Sequence, residues 1–368
     1  MAKIAIDARI INSTTGRYIE RLIHYLEEID TTNEYLILVP TKDLDYYKPR
    51  NKNFQVVEAD FDNYSLEEQV GLLKLLNKLK PDLVHFCMPQ QPVLYRGKHV
   101  TTVHDLTLLR TYSSDKNYLV YKTKQLIGWF VFKWIARSSA HIITSTKWNR
   151  QDYINFSGIS PDKVTAIHLA AEKSTTSPLP YKDLQNKKFI MFVGNQNDYK
   201  NIRRLAEAHQ LLRKRYPDLL LVLVGRLSGR AGSSLRMNKA WVEERGFEGI
   251  VWTDFVEDAQ LEWLYENTQA YVFPSLMEGF GLPGLEAMLG DAPVVSSNAT
   301  CLPEVYGDAA EYFDPLNVDE MAAAIDRVIS DETRRKELIE LGYKQSAKYS
   351  WKETAKQTLE IYKKALTL

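Results

Sequence analysis

The chain has 368 residues, 45% of them hydrophobic and 26% charged, the balance of a soluble globular protein. That is more mass than one ordinary core encloses, and at about 150 residues per domain the length predicts two domains. Lys+Arg and Asp+Glu both number 47, so no global basic field exists to recruit nucleic acid.

The opening "MAKIAIDARI" lacks the apolar core and cleavage site of a signal peptide. Apolar, β-rich runs then follow at 3–7, 35–39, 54–59, 83–87, 99–103, 141–145 and 164–168. Between them, "TGRYIERLIHYLEEI" (15–29) and "SLEEQVGLLKLLNKL" (65–79) carry apolar residues at helical spacing. Almost continuous apolar strands separated by helices predict a parallel sheet covered on both faces. Residues 1–175 read as one doubly wound, Rossmann-like domain.

Residues 176–187 fall within "EKSTTSPLPYKDLQNK", a linker by composition. The alternation restarts at 189–194 and continues at 219–225, 250–255, 270–275, 293–297 and 310–314, which predicts a second Rossmann-like domain over 188–349. The terminal stretch 350–368 reads as a helix capped by Ser350. Ligands of such sheets bind beyond the carboxyl ends of the strands, where Gly16, Gly194 and Gly225 fall.

Cys87 and Cys301 are the only cysteines, too few for a disulfide framework and without the CxxC spacing of a zinc site. The longest apolar run, 126–132, is far short of the ~20 residues that span a bilayer. A cytoplasmic protein is expected. The aromatic segment 117–139 carries only Lys122, Lys124, Lys133 and Arg137 as charges, so it reads either as a helix packed into its domain or as a surface for peripheral contact with the inner membrane face.

One stretch concentrates chemistry. "MEGFGLPGLEAM" (277–288) places Glu278 and Glu286 eight positions apart, after a strand and around Gly279, Gly281 and Pro283. Glycines let backbone approach a ligand, and a helix starting at Pro283 offers unpaired N–H groups to a phosphate. Glu286 is expected in the first turn. Two carboxylates could also form a hydrolase pair, or could be a capping residue and surface charge.

The stretch "PSLMEGFGLPGLEAM" followed by "APVVSSNATCLPEVYGDAAEYFDP" resembles the donor-binding region of retaining glycosyltransferases of family 4 (glycosyl transferases group 1), with its E-x7-E pair. "IDARIINSTTGRYIERLI", "TTVHDLTLLR" and "FVGNQNDYKNIRRLAEAH" extend the resemblance, in order, over almost the whole chain. It implies the GT-B fold: two Rossmann-like domains facing across a cleft, with the last helix packing back toward the first domain. It also implies that a nucleotide-sugar donor is held by Glu278 and the loop amides of Gly279, Phe280, Gly281 and Leu282, and that Glu286 takes the ribose. Lys200 would pair with the diphosphate, and His104 would stand near the reacting sugar. Gly16 would turn its backbone to the diphosphate, although "NSTTGRY" is poorer in glycine than the loops of relatives and Thr14 or Thr15 could simply cap a helix there. Same-face attack, with the leaving phosphate accepting the proton, requires no protein nucleophile.

The resemblance has gaps. The positions where relatives carry a second phosphate-binding cation are Asn195 and Tyr199 here, so Arg226 and Arg230 become candidate substitutes. The "DLD" at Asp43–Asp45 lacks the surroundings of a metal motif and reads as a solvated loop; neither an essential metal nor a cofactor is expected. The style of the second domain suggests a mannosyl-type transferase using GDP-mannose and a glycan or lipid-linked acceptor. UDP-glucose or dTDP-rhamnose users, a phosphorylase of similar fold and a silent partner subunit are the alternatives.

Overall fold

The computed structural model describes residues 1–13, 15–112, 118–225 and 233–368. The chain forms two compact units. One comprises Met1–Leu106, Gln125–Leu169 and Ser350–Leu368; the other comprises Thr107–Lys124 and Ala170–Tyr349.

In the first unit, β1 (Lys3–Asp7), β2 (Glu34–Val39), β3 (Phe54–Glu58), β4 (Leu83–Phe86), β5 (His99–Thr102), β6 (His141–Thr144) and β7 (Val164–Ala166) form one sheet. Their order is β3-β2-β1-β4-β5-β6-β7, and every pairing is parallel. Strands β4, β5 and β6 are buried along their whole length, as expected of a parallel sheet covered on both faces. The terminal helix Trp351–Thr367, capped by Ser350, lies against the helix Arg17–Ile29.

The helical pattern at 65–79 takes an unexpected form, a π-helical segment Glu68–Leu72 running into an α-helix Leu73–Leu79. At its start the Glu68 carboxylate turns inward and meets Arg9 at 2.8 Å, while Arg9 also grips Asp7 at 2.8 Å. This three-charge cluster sits at the carboxyl end of β1.

The second unit repeats the plan with β8 (Phe189–Val193), β9 (Leu220–Val224), β10 (Ile250–Thr253), β11 (Ala270–Phe273), β12 (Val294–Ser297) and β13 (Ala310–Phe313). The order is β10-β9-β8-β11-β12-β13, again wholly parallel. In both sheets the chain winds outward from one strand and then restarts on its other side. The reversal falls between β1 and β4 in the first sheet and between β8 and β11 in the second. Open α/β sheets leave their ligand crevice at such reversals, beyond the carboxyl strand ends.

Candidate active site

The loops that leave β8 and β11 flank the reversal of the second sheet, and they are joined there. The Leu276 N–H donates to the Tyr199 carbonyl at 2.7 Å. Asn201, whose φ of +61° belongs to the left-handed region, sends its side-chain amide to the carbonyls of Pro274 (3.1 Å) and Pro315 (2.7 Å). Asparagine tolerates that backbone better than most residues, and its amide supplies two donors.

This fixes Lys200, at the end of the short turn Asp198–Lys200, against the other loop. Its Nζ lies 2.6 Å from Glu278 Oε1, with only 9% and 11% of the two side chains exposed. The rings of Tyr199 and Phe273 flank the ammonium at 5.3 and 5.2 Å. A cation and a carboxylate thus converge at the strand ends, in surroundings dry enough to strengthen charge interactions.

The backbone of the Glu278 loop is held from a third element, the segment after β12. The Glu278 N–H donates to Thr300 Oγ1 at 3.3 Å, and the Cys301 thiol donates to the Glu278 carbonyl at 3.2 Å. The buried Tyr306 hydroxyl donates to the Gly281 carbonyl at 2.6 Å. Gly281 has a φ of +90°, and an added Cβ would meet Tyr306 Oη and Leu302; one at Gly284 would meet the same tyrosine. Glycine is needed here both for backbone conformation and for close approach.

Helix Leu282–Leu289 begins directly after Gly281, with Pro283 inside its start. Glu286 is therefore its fifth residue, one position beyond the fourth place it would hold in a helix starting at Pro283, and so just past the expected first turn. Side chains in a helix lean toward its N-terminus, so Glu286 still projects toward the loop end. Phe280 is buried edge-on to Tyr349, with ring centroids 5.7 Å apart, which leaves its backbone and not its ring to face a ligand. Asn195 is exposed. Arg226 and Arg230 lie outside the described residues.

In the first unit His104 follows β5. Its ring packs edge-on to Tyr18 at 4.9 Å between centroids, and it hydrogen-bonds the Cys87 backbone. Its Nε2 is buried without a hydrogen-bond partner among the described residues. Burial lowers the His104 pKa, and the Asp105 charge opposes that only in part. The ring is therefore neutral near pH 7, with Nε2 as the acceptor if the other nitrogen donates to the Cys87 carbonyl. Behind it, Tyr18 Oη and His85 Nε2 both bond Thr102 Oγ1 (3.0 and 2.8 Å), and His85 Nδ1 bonds Tyr362 Oη at 2.6 Å.

Gly16 caps helix Arg17–Ile29 with no side-chain cap bond among the described residues; Thr14 lies outside them. The Gly16 N–H donates within its own loop, to the Ser13 carbonyl at 3.0 Å. A Cβ there would collide with the carbonyls of Ile10 and Ile11. Packing alone thus requires glycine at this position. Asp43 is not the solvated residue its sequence suggested: it is buried and accepts from Asn12 Nδ2 at 3.0 Å, whereas Asp45 is exposed.

Residues 15–173 match the model of Glycosyltransferase Family 4, and residues 180–345 match that of Glycosyl transferases group 1. O-antigen chain mannosyltransferase B of Escherichia coli is 33% identical over 278 residues, covering 72% of this chain and 70% of that protein. The chain belongs to glycosyltransferase family 4. A second relative of this family 4 chain, the serotype-specific mannosyltransferase WbdA of Escherichia coli, is 30% identical over 73% of the chain, which spans only 34% of that longer protein. The crystal structure of Anabaena Alr3699/HepE in complex with UDP and glucose superimposes with a TM-score of 0.75 at 16% identity, covering 99% of each chain. The fold is GT-B, and the chain is a glycosyltransferase of a retaining family.

Sequence reasoning missed Thr300, Cys301, Tyr306 and Asn201, which act on the loop through its backbone. Side-chain type gives no notice of that. His85 did leave a signal, a histidine inside an otherwise apolar buried strand.

Proposed function

We propose that the chain is a retaining mannosyltransferase that moves mannose from GDP-mannose to a glycan or lipid-linked acceptor during polysaccharide synthesis. The observation that carries the donor site is the Lys200–Glu278 contact at the reversal of the second sheet. A donor diphosphate beside this pair competes with Glu278 for the ammonium. Lys200 then neutralises the leaving phosphate, and Glu278 is released to sugar hydroxyls. The loop amides from Gly279 to Leu282 and the start of the following helix complete the grip, and Glu286 takes the ribose. His104 accepts a hydroxyl hydrogen bond at Nε2. Catalysis is positioning plus stabilisation of the charge that develops on the leaving group. The choice of mannose is supported by the names of the relatives.

The test is turnover of the purified chain with GDP-mannose, UDP-glucose and dTDP-rhamnose in parallel, read as release of nucleoside diphosphate. GDP release well above the other two is expected. Preferential UDP or dTDP release overturns the choice of donor; release from none of them overturns the enzymatic reading. Retention is read separately, as the anomeric configuration of the product.

A further inference from the structure

Among the described residues, the buried side chains of helix Tyr118–Ser138 fall on one stripe. Tyr121, Phe132 and Ile135 are buried, whereas Leu119, Leu126 and Phe130 are more than half exposed. The spacing i, i+7, i+11 places those three on one line, opposite the buried stripe. Ile127 and Trp129, also at least half exposed, widen it. Large apolar side chains exposed singly need no explanation, but a row of them along one helix marks a surface that meets something.

The charges on the helix narrow the partner. From Tyr118 to Ser138 the ionisable side chains that carry charge at neutral pH are Lys122, Lys124, Lys133 and Arg137, with no acidic residue among them. Lys133 lies 5.6 Å from the centre of the Trp129 ring and Lys122 lies 5.6 Å from that of Tyr118, so cations stand beside the aromatic members of the face. Among the described residues no helix is long and apolar enough to cross a bilayer. Apolar and aromatic side chains interleaved with cations alone suit the headgroup layer of a negatively charged bilayer, where rings and leucines enter the acyl boundary and lysines meet lipid phosphates. A protein surface complementary to this helix would require an acidic apolar groove, and a second copy of the same helix would oppose cation to cation.

We infer that the outer face of helix Tyr118–Ser138 docks the enzyme on anionic lipid surfaces, with Leu126 and Phe130 as the inserted line and Lys133 and Arg137, which helical spacing puts on the same face, as phosphate contacts. This is independent of which sugar is transferred.

Co-sedimentation of the full chain with phosphatidylcholine vesicles, pure or containing about one-third phosphatidylglycerol, tests it. Binding is expected on the anionic vesicles, weak on the neutral ones and reduced by salt. Leu126→Ser combined with Phe130→Ser should lower partitioning by at least about tenfold, because two inserted apolar groups are lost. Lys133→Gln with Arg137→Gln should lower it about tenfold on anionic vesicles only. Unchanged melting curves for both pairs would show that the fold is intact. Absence of binding to anionic vesicles, or wild-type binding by the serine pair, overturns the inference. So does a wild-type dimer in velocity sedimentation that the serine pair converts to monomer, which would assign the face to a second copy.

Discussion

Two buried ionic clusters stand at comparable places, each near the carboxyl end of its sheet's opening strand, β1 or β8. Around Arg9 the donors are thoroughly used: the guanidinium bonds both Asp7 oxygens (2.9 and 2.8 Å), Glu68 (2.8 Å) and the Phe61 carbonyl (3.2 Å). Burial works against this charge, but Asp7 and Glu68 outweigh it and raise the Arg9 pKa. Such a fork locks β1 to the π-helical segment. Lys200 and Glu278 meet instead through one ammonium and one carboxylate oxygen, joining two loops at a sheet reversal. Lysine presents a compact charge on a flexible stem, so its partner can be exchanged for a phosphate. Buried charge alone therefore does not mark a functional site. The proposed site differs from the Arg9 cluster in its loop placement and its single-point contact.

The contrast predicts different failures. Glu68→Ala leaves Arg9 paired with Asp7 but with one donor unmatched in a dry site, and should cost about 1–3 kcal/mol of stability, measured by denaturant unfolding. Loss of activity with unchanged stability in this variant would contradict a structural role. Lys200→Met combined with Glu278→Gln, which strands no buried charge, should do the reverse, with turnover falling about 10²–10³-fold and stability declining less than in Glu68→Ala.

Acid should act on the first unit through His85. Burial, with a smaller push from His104, lowers its pKa to about 3. A folded-state pKa below the unfolded value of about 6.5 means that the stability is fully present above pH 6.5 and is lost as pH falls toward 3. By about pH 4.5 the loss should be on the order of 2–3 kcal/mol. His85→Gln should flatten that part of the pH–stability curve; an unchanged slope would remove His85 as the cause.

The smallest effect is expected at Tyr306. Tyr306→Phe keeps the ring but loses the bond to the Gly281 carbonyl, worth about 1 kcal/mol, and should weaken donor binding by several-fold while the fold persists. Unaltered KM for the donor would show that the Gly281 loop holds its shape without that hydroxyl.

Much of the fold was legible because strands buried on both faces are mostly apolar; among the described residues each strand lies within or beside a run such as "KIAID" or "LLLVLVG". The π-helical turn at Glu68 was not, since its apolar spacing over 65–79 is close to that of an α-helix. At the site, "DYKN" and "MEGFG" are continuous in sequence and could be read, and the structure brings Lys200 and Glu278 together. Their support could not be read. Thr300 (φ +54°), Cys301 and Tyr306 reach the loop through backbone atoms that every residue possesses. Gly16 is the opposite case, a visible glycine whose necessity is met by crowding against Ile10 and Ile11.

The most direct test of the Lys200–Glu278 grip is calorimetric titration of wild type, Lys200→Met and Glu278→Gln with GDP and with GDP-mannose. Lys200→Met should weaken both ligands by at least about tenfold, through loss of a charge-assisted phosphate contact. Glu278→Gln should weaken GDP-mannose markedly more than GDP, because its proposed contacts are with the sugar. Wild-type affinities for both ligands in both variants would contradict the grip.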